Sequence, residues 1–144
     1  MTHTAKLLIA KVLVSLGLIL LMLGALAVYS VSDLPEWTAS GRFHLASTAF
    51  GSVLALPVML YAIWNKTLFG TGRSVRLMAY LGLVHVLGVF TAGAARPNLA
   101  AEYYGSAQQV FIMGINANIF MNALVFAILL LGVLLTIRRG VDNK

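Results

Sequence analysis

Polar and charged positions divide the chain into four apolar runs, roughly Val12–Val31, Phe43–Trp64, Leu77–Ala95 and Val110–Ile137. As helices rising 1.5 Å per residue, each is long enough to cross a hydrocarbon layer of ~30 Å. The pattern predicts helices over about residues 7–31, 43–64, 77–95 and 108–137. The expected fold class is all-α: a polytopic membrane protein, one four-transmembrane-helix bundle spanning residues 1–144 as a single domain.

Small and polar residues mark faces on these helices. Gly17 and Gly24 lie seven apart and share a face, which predicts a close-packing seam. Ser47, Gly51 and Ala55 repeat by four, a second small-residue stripe. His85, Gly88 and Ala92 share a third by the three-and-four spacing. Pro57 lacks an N–H and frees the carbonyl of Val53, which predicts a kink. Pro97 disfavours helix at Arg96 and ends the third run. Leu99–Tyr104 is then expected as a short interfacial helix capped by Asn98. In the fourth run Gly114, Asn118 and Asn122 are spaced by four and predict a polar face. From Ala123 onward that run is lipophilic.

Charge orients the bundle. Lys6, Lys11, Lys66, Arg73, Arg76, Arg138, Arg139 and Lys144 fall on one side of the spans, which leaves Arg42 and Arg96 on the other. The bias of Lys and Arg toward the cytoplasm then places both termini there. Tyr29 and Trp37 match an outer aromatic belt, Tyr61 and Trp64 an inner one. A bacterial inner membrane or its equivalent is the expected location. The basic start followed by an apolar stretch has the outline of a signal peptide. The stretch is longer than such a segment needs, so it is read as a retained span.

Composition excludes several chemistries. Hydrophobic residues are 60% of the chain and charged residues 10%, far from soluble averages. The net charge of +6 sits in short segments beside the spans. Its natural partner is the anionic headgroup of the lipid bilayer, and no nucleic acid is expected. With no cysteine there is no thiolate nucleophile and no Cys-bound metal. All four acids, Asp33, Glu36, Glu102 and Asp142, lie outside the apolar runs, so no intramembrane acid/base pair exists. Gly70-Thr71-Gly72 lacks the ending of a phosphate loop, and no HExxH or GxSxG occurs. No catalytic residue is assigned.

The candidate binding residues are His85 and His44 for a cofactor, and Asn116, Asn118, Asn122 and Arg96 for a ligand. His85 lies near the middle of its span, where an imidazole is costly and faces the bundle interior. It suits a haem ligand, a metal ligand, a proton relay, or a hydrogen bond to Asn118 or Asn122. His44 stands at the outer end of the second helix, ~10–15 Å from the depth of His85 at 1.5 Å per residue. One metal ion shared by both is not expected. The Asn amides suit either hydrogen bonds between helices or a polar pocket for a headgroup, a quinone carbonyl or a small solute. Arg96, with Glu102 and Tyr103–Tyr104, is placed to cap such a pocket.

The order of elements also carries a resemblance. An apolar helix and a short outer loop lead into Arg42-Phe43-His44-Leu45-Ala46-Ser47, and a third helix with a central His follows. Over Leu7–Ala95 this resembles small four-helix membrane proteins similar to a fragment of haem–copper (cytochrome c) oxidase subunit I. There the second helix opens with His-x-His-Leu. His44-Leu45 matches the second half, and Arg42 stands where the first His would be. The resemblance implies a haem at His44.

Three functions are consistent with these features. The first is a small membrane subunit or ligand-binding module without catalytic machinery, packed against other membrane subunits or its own copies. The second is a haem- or quinone-binding redox protein using His85 and His44. The third is a small-solute transporter acting as an oligomer.

Overall fold

The computed structural model describes residues 2–30, 39–65, 71–95 and 111–137. It is helical apart from one small hairpin. Four helices are long and apolar enough to cross a membrane: α1 (His3–Ser30), α2 (Ala39–Trp64), α3 (Thr71–Ala95) and α4 (Ala117–Thr136). Sequence neighbours pack antiparallel round the bundle, and α4 closes it against α1. Helices α1 and α3 also meet across the short diagonal, whereas α2 and α4 make no close backbone approach among the described residues.

Three helices begin earlier than the apolar runs suggest, because polar residues are carried on their first turns. At α1, Thr2 Oγ accepts from the Ala5 N–H at 3.3 Å, a cap that lets the helix start four residues before Leu7. At α3, Ser74 and Val75 are fully buried, so the turn before Leu77 is part of the core.

The fourth helix departs the other way. It begins at Ala117, not near residue 108. Phe111–Ile112 (β1) and Ile115–Asn116 (β2) pair antiparallel, with Phe111 opposite Asn116 and Ile112 opposite Ile115. The turn residues Met113 and Gly114 have φ of 53° and 79°. Positive φ at both positions is the two-residue hairpin turn that matches strand twist. It is incompatible with a right-handed helix. Gly114 therefore leaves the predicted face that Asn118 and Asn122 share. The expected interfacial helix at Leu99–Tyr104, with Gln108 and Gln109, lies outside the described residues.

Among the described residues, three glycines set close approach. A Cβ on Gly132 (α4) would lie 2.5 Å from Val14 Cγ2 of α1. Cβ atoms on Gly17 (α1) and Gly82 (α3) would each lie 2.7 Å from a methyl of Leu129. Leu129 is thus a knob seated between two notches. Gly24, Gly51 and Gly88, placed on seams by their spacing, would meet nothing within 4 Å. Gly51 and Ala55 are exposed, because α2 is peripheral: 17% of its apolar stretch is buried, against 39% in α1 and α3. Leu130 and Leu134 point outward, as their position after the polar half predicts.

The end where α1 begins and α4 stops carries Lys6, Lys11, Arg73 and Arg76 and is tightly tied. The Trp64 indole N–H donates to Ser15 Oγ at 3.0 Å, and Lys11 Nζ sits 5.1 Å from the Trp64 ring centroid. Arg76 Nη1 donates at 2.9 Å to the carbonyl of Thr136, one of the terminal acceptors of α4 left without a helical donor. The fully buried side chains, among them Val14, Leu18, Ile63, Val75 and Leu129, fill the bundle from this end to its middle. The opposite half is less filled, and the candidate site lies there.

Candidate functional site

A cavity of about 270 Å³ opens in that half, and all four helices contribute to its wall. Leu21 of α1, Ala49 of α2 and Val125 of α4 line it and are buried. Gly24 leaves room on the α1 side. Val89 and Met121 add apolar surface. The polar lining is Thr48 from α2, His85 from α3, and Asn118 and Asn122 from α4. No Lys, Arg, Asp or Glu is among the lining residues. Gly24, Thr48, His85 and Met121 are exposed in the isolated chain, so the cavity is open rather than sealed.

The two amides are held in place by their own helix. The Asn116 side chain caps α4, its Oδ1 accepting from the Asn118 N–H at 3.0 Å. One turn on, Asn122 Nδ2 donates to Asn118 Oδ1 at 2.7 Å and to the Asn118 carbonyl at 2.8 Å. These partners fix both amide orientations, because the backbone carbonyl only accepts. Thr48 Oγ donates to the carbonyl of His44 at 2.9 Å. His85 makes no hydrogen bond among the described residues.

The sequence candidates thus separate. His85, Asn118 and Asn122 come together at one cavity. The expected hydrogen bond from His85 to Asn118 or Asn122 is not made; Asn122 Nδ2 instead donates to Asn118 along α4. Asn116 acts as a helix cap and does not line the cavity. His44 is exposed on α2, its ring in edge contact with Phe43 at 5.9 Å, and is not part of the lining. Arg96, Glu102, Tyr103 and Tyr104 lie outside the described residues. The spacing gave no sign of Gly24 as cavity wall, since an open glycine and a packed one look alike in sequence.

The space limits what fits. Pockets for drug-sized ligands run ~300–1,000 Å³, and an apolar cavity of ~150 Å³ accepts a benzene ring. A substituted single ring or a fused pair suits this cavity. A porphyrin does not, and His44 and His85 do not line a common space that would give it two axial imidazoles. Comparison of the chain with protein-family models, curated proteins and solved structures finds no match.

Proposed function

We propose that the chain is a ligand-binding module of a membrane, holding a small, neutral, mainly apolar molecule in the four-helix cavity. The observation that carries this reading is the meeting of His85, Asn118 and Asn122 at one space that, Thr48 apart, is otherwise apolar. Polar groups are costly in hydrocarbon unless engaged, and a cavity lined this way orients an amphipathic guest. The reading includes four spans in a bacterial inner membrane or equivalent, with both termini cytoplasmic. Four sufficiently long apolar helices and the eight-to-two split of basic residues support it.

The cavity reading is tested with Gly24→Leu. Nothing lies within 4 Å of a Cβ there, so the variant is expected to fold while its side chain occupies the cavity. Organic extracts of purified wild type should contain a neutral small molecule that falls ~10-fold or more in the variant, equivalent to losing ~1.4 kcal/mol of binding. Identical extracts with nothing bound in either would overturn the reading. Absorbance adds a second check, since a Soret band that shifts on reduction would favour haem.

Orientation is tested by reporter fusions after Lys11, near Gly70 and after Lys144, which should report cytoplasm. Fusions near Ser40 and Gly105 should report the outside. A cytoplasmic signal from either outer site would reverse the assignment.

A second reading, a subunit that packs against other membrane proteins or its own copies, is favoured by α2. Its Ser47, Gly51 and Ala55 are exposed, a surface that lets another helix approach closely. Gly51→Leu should then leave the monomer folded but shrink the native particle in mild detergent. An unchanged particle size would remove this reading.

A further inference from the structure

We infer that the cavity is built for an aromatic alcohol, of the phenol or quinol class, whose hydroxyl bridges Asn118 and Asn122. The inference rests on the ligand-binding reading above and adds the chemistry of the guest.

Hydrogen-bond capacity decides it. A primary amide has two donors on nitrogen and an acceptor oxygen. Asn122 donates through Nδ2 to both Asn118 Oδ1 and the Asn118 carbonyl. Its Oδ1 receives no donor among the described residues. Asn118 is the mirror case: Oδ1 is engaged, while Nδ2 donates to nothing among the described residues. The two amides are therefore joined by one side-chain hydrogen bond, with a free donor left on Asn118 and a free acceptor left on Asn122.

Neither free atom is sealed in protein, since no buried side-chain nitrogen or oxygen lacks a partner among the described residues. Both residues line the cavity. A group that satisfies both must accept from Asn118 Nδ2 and donate to Asn122 Oδ1. A hydroxyl does both through one oxygen. A ketone or ether only accepts, and an ammonium only donates. A lining without Lys, Arg, Asp or Glu disfavours an ion, and the apolar remainder of the wall takes a ring.

His85 lines the same cavity with its imidazole unengaged. A neutral imidazole offers one donor and one acceptor. It supplies a second polar contact for a ring that carries a second oxygen.

Three probes of one ring size test this: naphthalene, 1-methoxynaphthalene and 1-naphthol. Binding is measured to the full chain in lipid nanodiscs by saturation-transfer NMR, and binding to nanodiscs holding Gly24→Leu is subtracted to remove partition into lipid. The net worth of a hydrogen bond sets the expected order. 1-Naphthol should bind about fivefold tighter than 1-methoxynaphthalene for the added donor. 1-Methoxynaphthalene should in turn exceed naphthalene. In Asn122→Leu the preference for 1-naphthol over the ether should collapse toward one.

The outcomes are distinct. Naphthalene that binds wild type and Gly24→Leu equally removes the cavity reading itself. Naphthalene that binds specifically, with 1-naphthol no tighter than its methyl ether, leaves the cavity and overturns the aromatic alcohol. The probe series on unmodified chain decides this even where Asn122→Leu fails to fold.

Discussion

Gly132→Leu is expected to abolish the folded bundle, while Gly51→Leu and Gly88→Leu leave it intact. A Cβ at Gly132 would fall 2.5 Å from Val14 Cγ2, inside any real carbon–carbon contact. Val14 cannot step aside. It is fully buried, and a valine in a helix has one strongly preferred rotamer. The backbone lies directly behind it, with Ala10 O at 3.6 Å and Val14 N at 3.7 Å from the same Cβ. Helices α1 and α4 must therefore separate to admit any side chain. Overpacking a core costs ~1–3 kcal/mol even when the neighbours can adjust, so a leucine at this contact should exceed that. At Gly51 and Gly88 the added atoms meet open space, and changes within ~0.5 kcal/mol are expected. The measurement is the yield of monodisperse protein and its thermal midpoint in one detergent. A Gly132→Leu protein as stable as wild type would show that α1 and α4 do not meet there.

The contrast among these glycines marks the limit of what the sequence carries. Helix number and order are legible, because a run long enough to cross hydrocarbon leaves a long-range signal in composition. Contact partners are not. Gly17 and Gly24 sit seven apart on one predicted face, yet one receives Leu129 and the other borders the cavity. Spacing gives the face of a helix. Whether another helix lies against it depends on packing that no local pattern encodes. The hairpin before α4 escaped for a related reason. Phe111, Ile112, Met113 and Ile115 are apolar enough to extend the fourth run, and only Gly114 hints at the positive φ that interrupts it.

The site was legible as residue types and not as bonds. His85 and the asparagines stand out because polar groups are scarce in these runs, and the structure does bring His85, Asn118 and Asn122 to one cavity. An i, i+4 pair of amides can satisfy itself on its own helix as readily as across helices. That local solution is the one taken, and it leaves the imidazole and one amide edge available. Lys11 shows the same gap. Its place in the chain suits a membrane boundary, but its burial against Trp64 follows from α2 ending beside α1.

Leu129 and Gly82 are expected to be coupled, with Gly82→Ala harmful alone and harmless or helpful beside Leu129→Ala. Leu129 is fully buried, and its methyls lie 2.7 Å from the Cβ positions of both Gly17 and Gly82. In soluble cores Leu→Ala costs ~2–5 kcal/mol, part of it the transfer of methylenes from water. With the helices in lipid, as proposed, that part lapses, because separated helices expose leucine to hydrocarbon. The packing part remains, about 1–2 kcal/mol, since the vacated notch loses its dispersion contacts. Gly82→Ala alone drives a methyl into Leu129 and should cost ~1–3 kcal/mol. In the Leu129→Ala background the nearest remaining contact is Leu18 Cδ2 at 3.0 Å, so the new methyl fills vacated space with a small shift. Alanine also gains ~1 kcal/mol of helix propensity over glycine. The two changes should therefore deviate from additivity by ~1–3 kcal/mol, as residues in direct contact do. Denaturant titrations of the four proteins in one mixed-micelle system measure this directly. Additivity within ~0.5 kcal/mol would mean that Leu129 does not occupy the notch at Gly82, and the packing of α4 against α3 would have to be redrawn.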